Sequence, residues 1–194
     1  ISGNGYAGIA VVSGANKYSA ISQNLVIDST TIAHNGTDGT NFFAGPFGST
    51  PQGGLIVTDY VLAGSYGVQN IYVQNGSAIT DNKGIGIGAV TYGGLSYFLG
   101  QGLFVYDTKV TGNYTGVLLG MYTGPTAFGA VQQFYSYHST FSNNVGGGSV
   151  FPKYGSGVAI SMRSSENSQA LQYIDSVGST FSNNAKYGLA VYEG

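Results

Sequence analysis

The 194-residue chain carries six Lys or Arg and eight Asp or Glu residues, for a net charge of −2. An average soluble domain is about 25% charged. Six scattered cations cannot form the basic surface that nucleic acids require, so we expect no nucleic-acid partner. The absence of cysteine excludes disulfide scaffolds and cysteine-ligated metal sites. The hydrophobic fraction of 42% supports a packed core, but no apolar run approaches the ~18 residues of a membrane-spanning helix.

A repeated segment organises the chain, which we interpret as one domain over residues 1–194. Each copy ends in an anchor asparagine, as in the hexamer STFSNN at residues 139–144 and again at residues 179–184. The anchors are Asn4, Asn35, Asn82, Asn113, Asn144 and Asn184. Their spacing is irregular because one turn carries insertions in two copies, at residues 36–53 and 145–156. Repeats of this length are typical of solenoids, whose coils stack on one another.

Each copy contains three short segments with alternating apolar residues, which predict strands with one buried face. In chain order they are a glycine-led run (GIAV at 8–11), a middle segment (QNLVIDS at 23–29) and the anchor segment. Aligned copies predict five inward rows: Ile9, Leu55, Ile85, Val117, Val158, Leu189; Val11, Val57, Ile87, Leu119, Ile160, Val191; Leu25, Ile71, Leu103, Phe134, Leu171; Ile27, Val73, Val105, Ser136, Tyr173; and Ile1, Ile32, Ile79, Val110, Phe141, Phe181. We therefore predict an all-β fold: a single-stranded right-handed parallel β-helix, or β-solenoid. It would have five to six coils of ~31 residues with three strands per coil.

The anchor asparagines and the apolar rows resemble the right-handed parallel β-helix superfamily, the fold of pectate lyases, tailspikes and autotransporter passengers. The resemblance covers nearly the whole chain. It implies that the anchors form a ladder of hydrogen-bonded side chains at one turn, a position that suits asparagine because this residue tolerates left-handed backbone. It implies no particular function, because this fold hosts enzymes and adhesins alike.

The two insertions are the expected location of a binding site, because long loops on a rigid scaffold usually carry function. Both leave the same edge of the predicted solenoid, and both are rich in aromatic residues. The candidate ligand- or partner-binding residues are Phe42, Phe43, Phe47, Phe151 and Tyr154. They either border a groove for a glycan, or pack on the solenoid or on a neighbouring subunit.

The charged residues predict no catalytic residue, no metal site and no cofactor, and enzymatic activity stays open. None of the eight acids forms an Asp-Asp or Asp-x-Asp pair, and the single arginine, Arg163, is closest in sequence to Glu166. One polar row is predicted at a turn: Asp28, Asn75, Asp107, His138 and Asp175. Its acids lie two coils apart, roughly 10 Å, which is too far for them to share a cation.

Residues 1–14 match residues 181–194 in phase, with no capping segment at either position. Solenoids usually cap their ends, so we expect either a slice of a longer solenoid or subunits that stack end to end into a filament. Our leading hypothesis is a non-enzymatic extracellular or cell-surface element, structural or adhesive, that self-associates into a fibre. The alternative is a polysaccharide-binding or polysaccharide-degrading β-helix of the lyase or hydrolase kind, with a glycan as its partner.

Overall fold

The computed structural model describes residues 1–36, 42–45, 48–94, 96–124, 128–146, 155–164 and 169–193, with the backbone alone at 42–45, 48–51 and 193. Eighteen strands and no helix occur in these ranges. Sixteen of the strands form three parallel sheets, and the other two form a separate hairpin. The fold is a right-handed parallel β-helix, which confirms the predicted fold class. No helix in the described ranges has the length and apolarity that a membrane span needs.

Each sheet takes one strand from every coil. Sheet 1 contains β1 (Ala7–Ala15), β6 (Gly53–Val61), β9 (Ile85–Gly93), β12 (Thr115–Thr123), β15 (Val158–Arg163) and β18 (Leu189–Glu193). Sheet 2 contains β2 (Ala20–Asp28), β7 (Tyr66–Gln74), β10 (Phe98–Tyr106), β13 (Gly129–Tyr137) and β16 (Gln169–Val177). Sheet 3 contains β3 (Thr31–Ala33), β8 (Ala78–Thr80), β11 (Lys109–Thr111), β14 (Thr140–Ser142) and β17 (Thr180–Ser182).

The core lies inside the coils, where rows of like residues from the three sheets meet. Ile32, Ile79, Val110, Phe141 and Phe181 are register partners in sheet 3, as the anchor segments predict. The members of this row from Ile32 to Phe141 are fully buried, and the same holds for the inward residues of the central coils in sheets 1 and 2. A single coil cannot bury its own apolar face, so stacking of coils supplies the hydrophobic stabilisation.

Two predicted stretches of the inward rows were wrong. In β9 the inward residues are Ile87 and Ala89, which pair with Leu55 and Val57 of β6, so the prediction of Ile85 and Ile87 was shifted by two. The segment GIGIG has glycine at three alternate positions, and the apolar pattern alone cannot choose among them.

The second error lies in β16. Its inward residues are Ile174 and Ser176, the partners of Phe134 and Ser136. Leu171 and Tyr173 instead lie on the outer face, where they are 53% and 48% exposed. The prediction placed Leu171 and the alternate residue Tyr173 inward, which assigned the more apolar Ile174 to the outer face. The register is set by neighbouring strands, and a one-residue slip exchanges the two faces.

The hairpin lies within the first insertion. β4 (Phe42–Gly45) pairs antiparallel with β5 (Gly48–Pro51), on the connection between sheet 3 and sheet 1. The second insertion arises on the equivalent connection, between β14 and β15. The structure therefore places both insertions at the same edge of the solenoid.

Candidate functional site

The five aromatic residues predicted as a binding site have no described side chains. Phe42 and Phe43 belong to β4, of which only the backbone is described, and Phe47, Phe151 and Tyr154 lie outside the described residues. Glu166, the predicted neighbour of Arg163, also lies outside them. The binding role of the insertions stays a prediction.

The anchor row consists of Asn4, Asn35, Asn82, Asn113, Asn144 and Asn184. Each Nδ2 donates to the Oδ1 of the next anchor along the chain, at distances from 2.8 Å to 3.4 Å. Each of these Oδ1 atoms also accepts the backbone N–H of the preceding anchor, as in the 3.0 Å bond from Asn82 to Asn113. The amides of Asn35, Asn82, Asn113 and Asn144 are buried, so their hydrogen bonds satisfy groups that water cannot reach.

A row of glycines accompanies the anchor row. A Cβ atom on Gly86 would lie 2.8 Å from Nδ2 of Asn113 and 2.5 Å from the carbonyl oxygen of Gly116. Equivalent contacts to an anchor Nδ2, at 2.7–2.9 Å, exist at Gly8, Gly54, Gly116 and Gly157. Glycine is thus required because the anchor amide of a neighbouring coil occupies the space of a side chain. This contact identifies Gly86, and not Gly84, as the repeat glycine of its coil.

The residue before each anchor adopts left-handed backbone. His34, Asp81 and Asn143 have φ values of 56°, 55° and 54°, and Gly112 and Asn183 occupy the equivalent positions with 69° and 52°. Glycine, asparagine, aspartate and histidine are the residue types that enter this region most readily. The backbone therefore accounts for a histidine and an aspartate in this row without a catalytic role.

A second left-handed row replaces the predicted polar row. Its members are Ser29, Asn75, Asp107, His138 and Gly178, with φ between 46° and 60°. Asp28 and Asp175 are not part of it, because they pair with Gln74 and Tyr135 inside sheet 2. The prediction aligned acidic residues, whereas the turn selects residues for their backbone conformation.

The turn groups interact at the surface. His138 Nδ1 lies 3.8 Å from Asp107 Oδ1, and both side chains are more than half exposed, so the pair stabilises the fold little. Hydrogen bonds from Gln74, Ser29 and Asn75 lower the pKa of Asp28. In the described ranges no three His, Asp or Glu side chains come together in a group able to hold a metal ion.

Sequence reasoning missed a second buried ladder, the glutamine row of Gln23, Gln69, Gln101, Gln132 and Gln172. Each Nε2 donates to the Oε1 of the glutamine in the preceding coil, at distances from 2.6 Å to 3.3 Å. Gln69 and Gln132 are fully buried. The signal was present, because a glutamine recurs twelve or thirteen residues before each anchor from Asn35 onward.

A buried carboxyl group faces this ladder at its first coils. Asp59 is fully buried, and Ser13 Oγ donates to its Oδ1 at 2.5 Å, while Gln23 Nε2 donates to the Ser13 hydroxyl. Burial raises the pKa of Asp59, and hydrogen bonds from Ser13 and Gln69 oppose the rise. Its Oδ2 has no hydrogen-bond partner among the described residues. Burial therefore disfavours the charged form of Asp59 relative to an acid in water.

A shallow groove follows the solenoid axis on the outer side of sheet 1. The rings of Tyr60, Tyr92 and Tyr122 stack at 5.4 Å and 5.2 Å with planes 9° and 12° apart. The groove has a volume of about 300 Å³, and its lining includes Gly93 and Gly94. Burial, with smaller contributions from the two neighbouring tyrosines, raises the pKa of Tyr92 to about 12.

The comparisons with known proteins add no identity. No protein-family model matches the chain, and neither the curated proteins nor the solved structures contain a significant match. The groups that recur from coil to coil are neutral amides and hydroxyls, and they form hydrogen bonds between neighbouring coils. Such groups are suited to a stack whose units complement one another.

Proposed function

We propose that this chain is a non-enzymatic extracellular element of a cell surface, structural or adhesive, whose solenoid extends end to end by association with further copies. The observation that carries the proposal is the polarity of the two buried ladders. Anchor amides donate toward the last coil, and glutamine amides donate toward the first coil. A second copy stacked head to tail would continue both ladders without reversing either.

The contacts at such a junction follow from those inside the chain. The N–H of Asn184 would bond Oδ1 of Asn4 in the added copy, as Asn144 bonds Asn184. The Oε1 of Gln172 would accept from Gln23 of that copy, as Gln132 accepts from Gln172. Parallel strand pairing would continue in all three sheets, and an open head-to-tail contact of this kind generates a filament.

Apolar surface supports the same junction. Leu189 and Val191 belong to the inward rows of sheet 1, and in β18 they are 38% and 45% exposed. Their row partners Val158 and Ile160 are fully buried because another coil covers them. Covering Leu189 and Val191 would contribute hydrophobic stabilisation in proportion to the apolar area removed from water.

Two finer assignments belong to the proposal. Few charges and many neutral polar residues support an exported protein. The anchor row and the three stacked sheets support a place in the pectate-lyase-like superfamily of β-helices, where function varies from member to member.

Sedimentation velocity over a wide concentration range tests the proposal. We expect an open series of oligomers that grows with concentration. Val191→Lys would place a charge in the junction and shift the series toward the monomer, while Lys109→Glu, which reverses a charge at an exposed position of β11 in a central coil, would not. A wild-type chain that stays monomeric at every concentration, or equal effects of the two variants, would contradict end-to-end association.

Glycan binding is the second candidate, and the tyrosine groove is the observation that favours it. The groove crosses three coils, and the partly exposed Tyr92 and Tyr122, together with glycine backbone, are suitable partners for sugar hydroxyls. Titration with a panel of soluble polysaccharides would then change tyrosine fluorescence in the wild type and less in Tyr92→Phe. An unchanged signal across the panel would argue against this candidate.

A further inference from the structure

Within the described residues, sheet 2 presents a broad outer surface that is exposed in its two outermost strands and partly exposed in its central strands. We name it the open face, defined as the outward side chains of β2, β7, β10, β13 and β16. In β2 and β16 the residues of the outer face are exposed, and Val26, Leu171 and Tyr173 are 56%, 53% and 48% exposed. Exposed apolar surface of this extent on a soluble protein marks an interaction site.

The composition of the open face is that of a protein interface. The five strands contain no lysine and no arginine, and their only acids are Asp28 and Asp175, which lie in the first and last strands. Outward aromatic residues are numerous: Tyr66, Tyr72, Phe98, Phe104, Tyr106, Tyr135, Tyr137 and Tyr173. Enrichment in aromatic residues and depletion of lysine distinguish interface cores from other protein surfaces.

The geometry of the rings favours a protein partner over a sugar. Tyr72, Phe104 and Tyr135 stack at 4.7 Å and 5.4 Å, with planes 10° and 3° apart. Rings of the neighbouring coils therefore cover both faces of Phe104 and one face each of Tyr72 and Tyr135, so the surface presents mainly ring edges. A sugar that stacks on an aromatic residue needs an open ring face, whereas a second sheet packs against edges and aliphatic side chains.

The area is sufficient for a stable complex. Five strands at ~4.8 Å spacing and nine residues at ~3.3 Å per residue define a surface of roughly 24 Å by 30 Å. That is about 700 Å² per copy, close to the ~800 Å² that each partner contributes to an interface of standard size.

We propose that two copies of this chain pair through their open faces, sheet against sheet. The contact is isologous, so it closes at two copies and gives a dimer. It is lateral to the solenoid axis and therefore distinct from the end-to-end association proposed above. The two carboxylates in the outermost strands lie at the rim of such a contact, and its centre is free of charge.

The test uses matched pairs of substitutions. Val26→Glu with Leu171→Glu places two carboxylates on the open face, where four would meet in each dimer. Val12→Glu with Tyr187→Glu adds the same charge at side chains that are equally exposed, 57% and 52%, but lie elsewhere. We expect the first variant to raise the dimer dissociation constant by about 100-fold or more, and the second to change it by less than about threefold.

Analytical ultracentrifugation measures both variants, with circular dichroism as the control for folding. If the open-face variant fails to fold, Ser22→Cys provides a second measurement, because the chain has no cysteine of its own. A spin label at this outward position of β2 would show dipolar broadening between copies, and a label at Val12→Cys, on the outer side of sheet 1, would show less. Equal dissociation constants for the two glutamate variants, or equal broadening at the two labels, would overturn the proposal.

Different substitutions disrupt the lateral contact and the end-to-end contact. Val191→Lys would stop growth along the axis and leave the open-face dimer, whereas the open-face variant would leave filaments one solenoid wide. A wild type that shows no lateral pairing at any concentration would overturn the inference. Retention of that unpaired wild type on insoluble polysaccharide would identify a glycan as the partner of this face instead.

Discussion

Sheets 1 and 2 have the same strand arrangement, but the outward side chains of their central strands differ in exposure to solvent. In both, nine-residue strands stack in parallel register through the central coils. In the central strands β6 and β9 of sheet 1 the outward side chains Ile56 and Val90 are 1% and 3% exposed, whereas in the central strand β7 of sheet 2 the outward side chain of Tyr66 is exposed and those of Val68 and Tyr72 are partly exposed. The strand sequences carry this difference. β6 reads as an almost continuous apolar run (GGLIVTDYV), which is typical of burial on both faces, and the strands of sheet 2 alternate.

The largest expected effect contrasts two asparagines. Asn113 is fully buried beside the sheet 1 glycines, and Asn24 lies exposed on the open face with one side-chain bond to Asn70 at 3.2 Å. Asn113→Ala leaves the buried backbone N–H of Asn82 without its acceptor and removes one of the two acceptors of the Asn82 side-chain amide, so we expect a loss of about 3–5 kcal/mol in the free energy of unfolding. Asn24→Ala should cost less than about 0.5 kcal/mol. Urea denaturation measures both, and similar costs would contradict the buried ladder.

Two valines test the faces themselves. Val90→Ala removes buried methyl groups from the outer side of sheet 1 and should lower the free energy of unfolding by about 1–3 kcal/mol. Val26→Ala makes the same change on the open face and should cost less than about 0.5 kcal/mol in the monomer. Thermal denaturation at low protein concentration measures both variants, and equal losses in the free energy of unfolding would contradict the difference in burial between the two faces.

A smaller effect concerns the acid inside sheet 1. Because burial raises the pKa of Asp59, the folded state holds this proton more tightly than the unfolded state. Its contribution to stability is therefore full below the unfolded pKa near 3.8 and is lost as pH rises through the folded pKa. Asp59→Asn should remove that part of the pH dependence and stabilise the protein at neutral pH. An unchanged stability profile between pH 3 and pH 8 would show that Asp59 is not desolvated.

The smallest effect appears at alkaline pH. The pKa of Tyr92 rises from 10.0 to about 12, so the unfolded chain loses this proton before the folded one does. Stability should fall as pH increases from 10 toward 12, by an amount that partial exposure of the ring reduces. Tyr92→Phe should flatten this decline. The difference between spectrophotometric titrations of the wild type and of Tyr92→Phe isolates this phenol among the 16 tyrosines and provides the direct check.

The sequence predicts the features that depend on repetition. The anchor row, the sheet 3 row and the position of the insertions all follow from spacing alone. The choice of inward residues was wrong around Gly86 and Ile174, because the sequence there fits more than one register. Contacts between coils select the register: the anchor amide of Asn113 at Gly86, and pairing with β13 at Ile174. Asp107 and His138 belong to a row defined by backbone conformation, which residue chemistry alone does not reveal.

The candidate site was less predictable than the fold. The glutamine row is visible as a recurrence, but glutamine is polar and an interior position for it follows only once its partners in adjacent coils are known. Burial of the outer side of sheet 1 likewise depends on the three-dimensional arrangement. The apolar run of β6 indicates burial on both faces without saying what packs there.

Electron microscopy of the purified 194-residue chain, over a wide range of concentrations, tests the central claim most directly. The account predicts filaments that lengthen with concentration along the solenoid axis, because end-to-end association would continue the anchor and glutamine ladders from one copy into the next. Monodisperse particles of constant size at every concentration would contradict it.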